Sequence, residues 1–301
     1  DMETVVVTGA NSYLGIALVE RLSQMNISVH IVARPKSDIS RLIQRAPSVN
    51  IHNYNGKQSS LEKLLEESRP DTIFHLAGKY YREDKPEYIT SLIDSNITFG
   101  SQLLLASLNS SVKNFINTGS YFQFSGHNES AVNFYGATKN SFNEILNYYS
   151  SLEKFLSTTL IIFDTFGPND WRQKLFQAIT EAVKTNEVMP IPAGNVPMYP
   201  VYIADVIDCY ILAAQKLASK PNEIINKCFA VRGNEETSIK EIIRIFEQVT
   251  NKKIYTEIGA WPASTREIKN IWRGSTMSDW RPKYNLAKGI EKMLEGHNEN
   301  N

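Results

Sequence analysis

The sequence predicts a doubly wound α/β core built on a parallel sheet, with a smaller, mixed C-terminal lobe. Three observations carry that expectation. Short β-branched runs alternate with helical apolar patterns through the first half of the chain, a glycine-rich turn follows the first of those runs, and the alternation lapses beyond about residue 165. Lysine plus arginine and aspartate plus glutamate balance at 32 each, so no global field favours nucleic acid or an anionic membrane. Cys209 and Cys228 lack metal spacing and are expected to be buried thiols of a reducing compartment. No apolar run approaches the roughly 18 residues of a membrane span, and no basic-then-apolar leader precedes the first strand. The expectation is a soluble, cytoplasmic protein.

The first strand is Val5-Val6-Val7, of the type buried on both faces. Gly9-Ala10-Asn11-Ser12-Tyr13-Leu14-Gly15 follows, and then the helical pattern Ile16, Leu18, Val19, Leu22. A glycine turn between such a strand and helix brings backbone N–H groups and a helix N-terminus to a pyrophosphate. Gly9, Asn11, Ser12, Tyr13, Leu14 and Gly15 are therefore candidate dinucleotide contacts, with Ser12 where the usual pattern has its middle glycine. The second strand, 28–33, ends at Arg34, where a fold that prefers NAD carries a carboxylate for the ribose 2′-hydroxyl. A guanidinium fork suits a 2′-phosphate, so NADP(H) is favoured and NAD stays open.

A third strand at 49–52 leads past Asn55 and Gly56 to a helix over 61–68. The fourth, from residue 71, exits through Leu76, Ala77 and Gly78, small enough for a flat cofactor to pass close to the backbone. A helical stretch over 86–108 carries Asn96 among apolar neighbours, and its amide is expected to pin nearby backbone. The fifth strand, 113–118, places Gly119-Ser120 at the sheet's C-terminal edge, where open parallel sheets bind ligands. A helix over 133–151 then presents Tyr135 and Lys139 on one face, four residues apart. An ammonium beneath a phenol favours phenolate and should bring Tyr135 towards the working range.

The sixth strand, 156–163, breaks at Asp164. Beyond it come a helix at 172–184, a proline-rich turn, an element at 201–216 with Asp205, a strand at 227–231, a helix at 238–250, a strand at 253–258 and a closing helix at 287–294. The expected division is a dinucleotide-binding domain over 1–165, with 198–231 returning to it. Residues 166–197 and 232–296 would form a substrate-binding lobe, and 297–301 a disordered tail.

With these pieces in order over nearly the whole chain, the sequence resembles the extended short-chain dehydrogenase/reductase family of nucleotide-sugar epimerases, dehydratases and ketoreductases, which have a Rossmann-type sheet. The matching residues are Thr8 through Gly15, Asp71 through Ala77, Asn96, Ser120, the Tyr135-Gly136-Ala137-Thr138-Lys139 pentapeptide, Phe166-Gly167-Pro168, Val201 through Asp205, Arg266 and Trp280-Arg281-Pro282. The resemblance implies that Tyr135 is the acid/base, that Lys139 lowers its pKa and holds the nicotinamide ribose, and that Ser120 binds the reacting oxygen. Thr118 is the alternative hydroxyl, two residues earlier on the same face of an extended segment. Lys79, Tyr121, Phe122, Asp164, Arg172 and Arg266 are the candidates to hold a nucleotide-diphosphate sugar.

The departures narrow the activity. The family's dehydratases carry an Asp-Glu pair directly after the catalytic hydroxyl, and here that place is Tyr121-Phe122. Asn55 replaces an aspartate that reads adenine, Asp164 replaces an asparagine, and Met198 stands near the place of a substrate-binding arginine. The pattern looks most like reductases of nucleotide-activated 4-keto deoxysugars, nearest to the CDP-abequose and CDP-paratose synthases of O-antigen biosynthesis. A 4-epimerase that retains NAD uses the same residues, and a catalytically silent NADP-binding regulator is the reading from another class. Family members commonly dimerise through the helices that carry Asn96 and Tyr135.

Overall fold

The computed structural model describes residues 1–259, 268 and 270–298. Seven strands form one all-parallel sheet in the order β10-β6-β5-β4-β1-β2-β3. They are β1 Thr4–Thr8, β2 Ser28–Ala33, β3 Asn50–Asn53, β4 Thr72–His75, β5 Asn114–Ser120, β6 Leu156–Ile162 and β10 Cys228–Val231. The sheet is a Rossmann-type α/β sheet, and β1 lies inside it between β4 and β2, with Val5, Val6 and Val7 fully buried. Alternation along β1 sends them to opposite faces. Val5 and Val7 join a core with α1 Tyr13–Gln24 and α8 Ile203–Ser219. Val6 joins one with α3 Gln58–Ser68, α5 Phe99–Ser107 and α6 Phe134–Ser150.

A third core, including Phe166, Phe176, Ile179, Ile242, Phe246, Ile290 and Met293, belongs to the later part of the chain. It unites α7 Leu175–Thr185, α9 Ile239–Thr250 and α10 Leu286–Asn298 with two short parallel pairs. These are β7 Thr165–Phe166 with β9 Val201–Tyr202, and β8 Met189–Ile191 with β11 Thr256–Ile258. Asp205 ties the parts together. Its carboxylate accepts from Lys283 N and Tyr284 N at 2.9 and 3.1 Å, and its carbonyl accepts from Trp280 Nε1 at 2.9 Å.

Several elements differ from expectation. The helical stretch over 86–108 is broken into a 3₁₀ turn at Pro86–Tyr88, α4 Ile89–Ile93, a π-helical turn at Asp94–Thr98 and α5. The extra residue of the π turn lies where the Asn96 amide reaches across to other elements. Strand β5 runs on through Ser120, because Gly119 and Ser120 keep pairing with Ile161 and Ile162. A short helix, α2 Ser40–Arg45, buries only Leu42 and so leaves no periodic signal. Cys209 is buried as expected, but Cys228 is exposed, since it opens the outer strand of the sheet. Helix α10 carries on to Asn298, into the stretch expected as a tail. Among the described residues no helix is long and apolar enough to cross a membrane.

Candidate active site

The site lies along the C-terminal ends of β1, β4 and β5. Gly9 leaves β1 at φ +67°, and a Cβ there would lie 2.6 Å from Ala77 N, so only glycine fits where β1 and β4 separate. A Cβ on Gly15 would lie 2.1 Å from the Gly9 carbonyl oxygen. Ser12 caps α1: its hydroxyl accepts from Gly15 N at 3.0 Å and donates to the Gly9 carbonyl at 2.7 Å. The hydroxyl in the place of the middle glycine is thus turned into its own loop. The N–H groups of Tyr13 and Leu14 stand at the helix start, where the first turn has no intrahelical acceptors. Asn11 is exposed at the loop tip.

At the end of β2, Arg34 is exposed with its guanidinium 5.4 Å from the centre of the Tyr54 ring. Asn55 accepts from Lys57 N at 3.0 Å, and Gly56 turns at φ +89° with open space around it. At the exit of β4, the N–H groups of Leu76 and Ala77 donate to Thr8, one to its carbonyl and one to its hydroxyl. A Cβ on Gly78 would lie 3.1 Å from Asn96 Oδ1 and 3.2 Å from Lys139 Nζ, so Gly78 is the gap into which that ammonium projects. Asn96 pins the next residue as expected: it accepts from Lys79 N at 2.8 Å and donates to the Lys79 carbonyl at 3.0 Å and to Thr138 Oγ1 at 3.1 Å.

Ser120 ends β5, and Tyr135 and Lys139 lie one turn apart on α6. Asn133 caps α6 by accepting from Gly136 N at 2.9 Å, which fixes the first turn and with it Tyr135. The Ser120 hydroxyl stands close enough to the Tyr135 phenol to act on its titration. Lys139 is buried and donates to the Thr118 carbonyl at 3.2 Å. Of the two candidate hydroxyls, Thr118 Oγ1 is paired with the buried Tyr210 phenol at 2.6 Å, and Ser120 Oγ accepts from Phe122 N at 3.2 Å.

One electrostatic expectation is reversed. Burial pushes the Tyr135 phenol up to about 12, with the Ser120 hydrogen bond opposing, rather than Lys139 drawing it down. Burial also lowers Lys139 to about 8, since a desolvated ammonium is disfavoured. Tyr135 therefore carries its proton at neutral pH.

Around Tyr135 stand Tyr80, edge-on at 4.9 Å, and Phe122 at 6.1 Å. The Lys174 ammonium lies 5.0 Å from the centre of the Tyr80 ring. Tyr121 is buried, stacked on Phe163 at 4.9 Å, and donates to Asp164 Oδ1 at 3.1 Å. Lys79 extends along the Tyr81 ring at 5.4 Å. Arg172 does not present an open charge to a substrate phosphate. Asp170 holds it through two contacts of 2.9 Å, it donates to the Thr165 carbonyl, and it lies 4.7 Å from the Tyr13 ring centre. It braces the 164–172 segment against the glycine loop, which Tyr13 completes by donating to the Pro168 carbonyl at 2.6 Å. Arg266 lies outside the described residues.

Sequence reasoning missed Gln123. Fully buried, it accepts from Ser120 N at 2.8 Å and donates to Asn140 Oδ1 at 2.9 Å, while Asn140 donates back to its carbonyl. The Ser120-x-x-Gln123 spacing is a capping box, and this was the available signal. Tyr210 left no comparable trace.

An all-parallel sheet with a glycine turn after β1 and a Ser120–Tyr135–Lys139 group at its C-terminal edge defines a dinucleotide-dependent class of protein. Residues 5–228 match the NAD dependent epimerase/dehydratase family, and the chain belongs to that family. It is 28% identical over 253 residues to CDP-abequose synthase from Yersinia pseudotuberculosis, covering 83% of this chain and 86% of that protein. It is 23% identical to CDP-abequose synthase from Salmonella typhimurium, over 97% and 98% of the two chains. Among solved structures, UDP-glucose 4-epimerase from Thermotoga maritima superposes with a TM-score of 0.83 at 20% identity, over 99% of both chains. UDP-glucuronic acid 4-epimerase from Bacillus cereus does so with 0.84 at 19% identity, over 99% of this chain and 100% of that one. At such identities these two establish the shared fold.

Proposed function

We propose that this protein is an NADPH-dependent reductase of a nucleotide-activated 4-keto deoxysugar, acting in deoxysugar biosynthesis on a CDP-sugar. The observation that carries the reading is Ser120 at the end of β5 beside the Tyr135 phenol of α6, with Tyr121 and Phe122 instead of carboxylates directly after Ser120. Reduction of a ketone asks for a proton at the carbonyl oxygen, whereas eliminating water asks for a carboxyl acid/base beside the sugar. The similarity to the CDP-abequose synthases supports the choice of substrate class.

The residues present fit a nicotinamide dinucleotide: the Gly9 turn and the start of α1 offer donors to its pyrophosphate, Arg34 stands where a 2′-phosphate falls, and Gly78 opens the way to Lys139. When bound, that group supplies the hydride chemistry. Leu76, Ala77, Asn55 and Gly56 would line its path. Tyr135, held protonated by burial, donates to the oxygen that was the sugar C4 carbonyl. Ser120 orients that oxygen and Gln123 holds Ser120 in place. Residues 1–165 with 198–231 act as the dinucleotide domain, and 166–197 with 232–296 as the substrate lobe. Ile89, Leu105 and Tyr148, exposed on α4, α5 and α6, suit a homodimer face.

Steady-state oxidation of NADPH with CDP-4-keto-3,6-dideoxyglucose tests the reading. Absence of oxidation with every CDP- and dTDP-4-keto sugar would overturn it. A 4-epimerase is the second reading, favoured by the epimerases among the structural neighbours. Tightly retained NAD in the purified protein would support it over the reductase.

A further inference from the structure

We propose that Asp164 is a specificity-determining residue that accepts a hydrogen bond from the hydroxyl at C2 of the substrate sugar. The inference rests on the nucleotide-sugar reading above and adds the group that recognises the ring. A 4-keto-3,6-dideoxyhexose joined to a nucleoside diphosphate has oxygens at C1 in the phosphate linkage, at C2, at C4 as the carbonyl, and in the ring. Only the C2 oxygen carries a proton to donate. Its C3 methylene and C6 methyl are apolar and match the rings of Tyr80 and Phe122 beside Tyr135.

Asp164 is the acceptor placed to read that donor. It stands at the break after β6, half-buried, with Oδ1 taken by the Tyr121 phenol at 3.1 Å. Stacking of Tyr121 on Phe163, the residue before Asp164, fixes the direction of that bond. Oδ2 accepts none of the hydrogen bonds found among the described residues, and it is not sealed from solvent. An asparagine would offer a donor and an acceptor here, whereas an ionised aspartate only accepts. Burial raises the carboxyl, while the Tyr121 hydrogen bond, Lys174, Arg172 and Arg82 act against that and favour the ionised, acceptor-only form. Tyr121, which donates to Asp164, packs on Phe122 at 4.8 Å, and Phe122 and Tyr80 flank Tyr135, so the carboxylate stands next to the ring cluster that surrounds the acid/base.

The test is calorimetric binding of CDP-glucose and CDP-2-deoxyglucose, and of the matching UDP pair, to wild type, Asp164→Ala and Asp164→Asn. Wild type is expected to bind the C2-hydroxyl form about tenfold or more tightly, and Asp164→Ala to retain about threefold or less, with Asp164→Asn between. Should Asp164→Ala fail to fold, the isosteric Asp164→Asn carries the comparison. A wild type without preference, an equal preference in the Asp164 variants, or no binding of any of the four ligands overturns the inference. NADPH oxidation measured on the same preparations separates the two readings. Preference without oxidation of any 4-keto sugar leaves Asp164 standing and removes the reductase, and oxidation without preference does the reverse.

Discussion

The Lys139 ammonium donates to the Thr118 carbonyl at 3.2 Å, tying α6 to β5 two residues before Ser120. That bond makes the relation between strand and helix part of the chemistry. Ser120 and Tyr135 belong to different elements, and Lys139 and Gln123 hold those elements in register.

Tyr135→Phe should lower the turnover number about 10²–10⁴-fold, because it removes the proton donor. The KM for NADPH should change little. Ser120→Ala, which leaves Tyr135 in place, should cost less. Steady-state kinetics with a 4-keto sugar read both, and equal activity in wild type and Tyr135→Phe would reject the general-acid role.

Lys139→Met should abolish activity and stabilise the protein. Burial lowers Lys139 from 10.5 to about 8, a shift corresponding to about 3 kcal/mol against the charged form. Below pH 8 the lysine is charged in both folded and unfolded chains, and the folded state bears the full cost. Between pH 8 and 10.5 the unfolded chain binds the proton and the folded one releases it, so wild-type stability rises with pH. The gain in Tm of the variant should therefore be full at pH 7 and shrink across that window.

His75 should make the protein acid-sensitive. It is buried, hydrogen-bonded through Nδ1 to Thr8 Oγ1 at 2.7 Å, and lowered by burial to about 3, with the Lys139 charge adding to the effect. From pH 6.5 downwards the unfolded chain binds a proton that the folded chain refuses, so stability falls towards pH 3 by up to about 1.4 kcal/mol per unit. Urea denaturation over this range should show a shallower slope in His75→Gln. An unchanged slope would place the sensitivity elsewhere, with His30 and His52, both also lowered by burial, next in line.

Gln123→Met should reduce turnover through Ser120. The substitution roughly keeps volume and leaves Ser120 N and Asn140 without their partner, a loss of about 1–3 kcal/mol for buried polar groups. A drop in kcat without a matching rise in KM for the sugar is the expected signature, and an unaltered kcat would mean that Ser120 needs no such support.

Arg34→Asp should move cofactor preference from NADPH towards NADH, by about tenfold or more in kcat/KM, through loss of the 2′-phosphate partner and gain of a 2′-hydroxyl acceptor. Unchanged preference would assign 2′-phosphate recognition to other residues.

Much of this protein is legible from local pattern. The valines of β1, the glycine turn, the exit through Ala77 and Gly78, and the Tyr135 to Lys139 spacing each lie within one element or one turn, where period and residue type suffice. What only the tertiary structure decided depends on residues far apart in the chain. Tyr210, on α8, takes the Thr118 hydroxyl from 92 positions away in the chain. Asp170 and Tyr13 turn Arg172 into a brace. The π turn at Asn96 answers the Lys79 backbone, which no helical periodicity records. The pKa of Tyr135 belongs to the same group. Spacing on a helix brings a lysine near a tyrosine and suggests a lowered phenol, but the packing of other elements around the pair sets the desolvation, and here that is the larger effect.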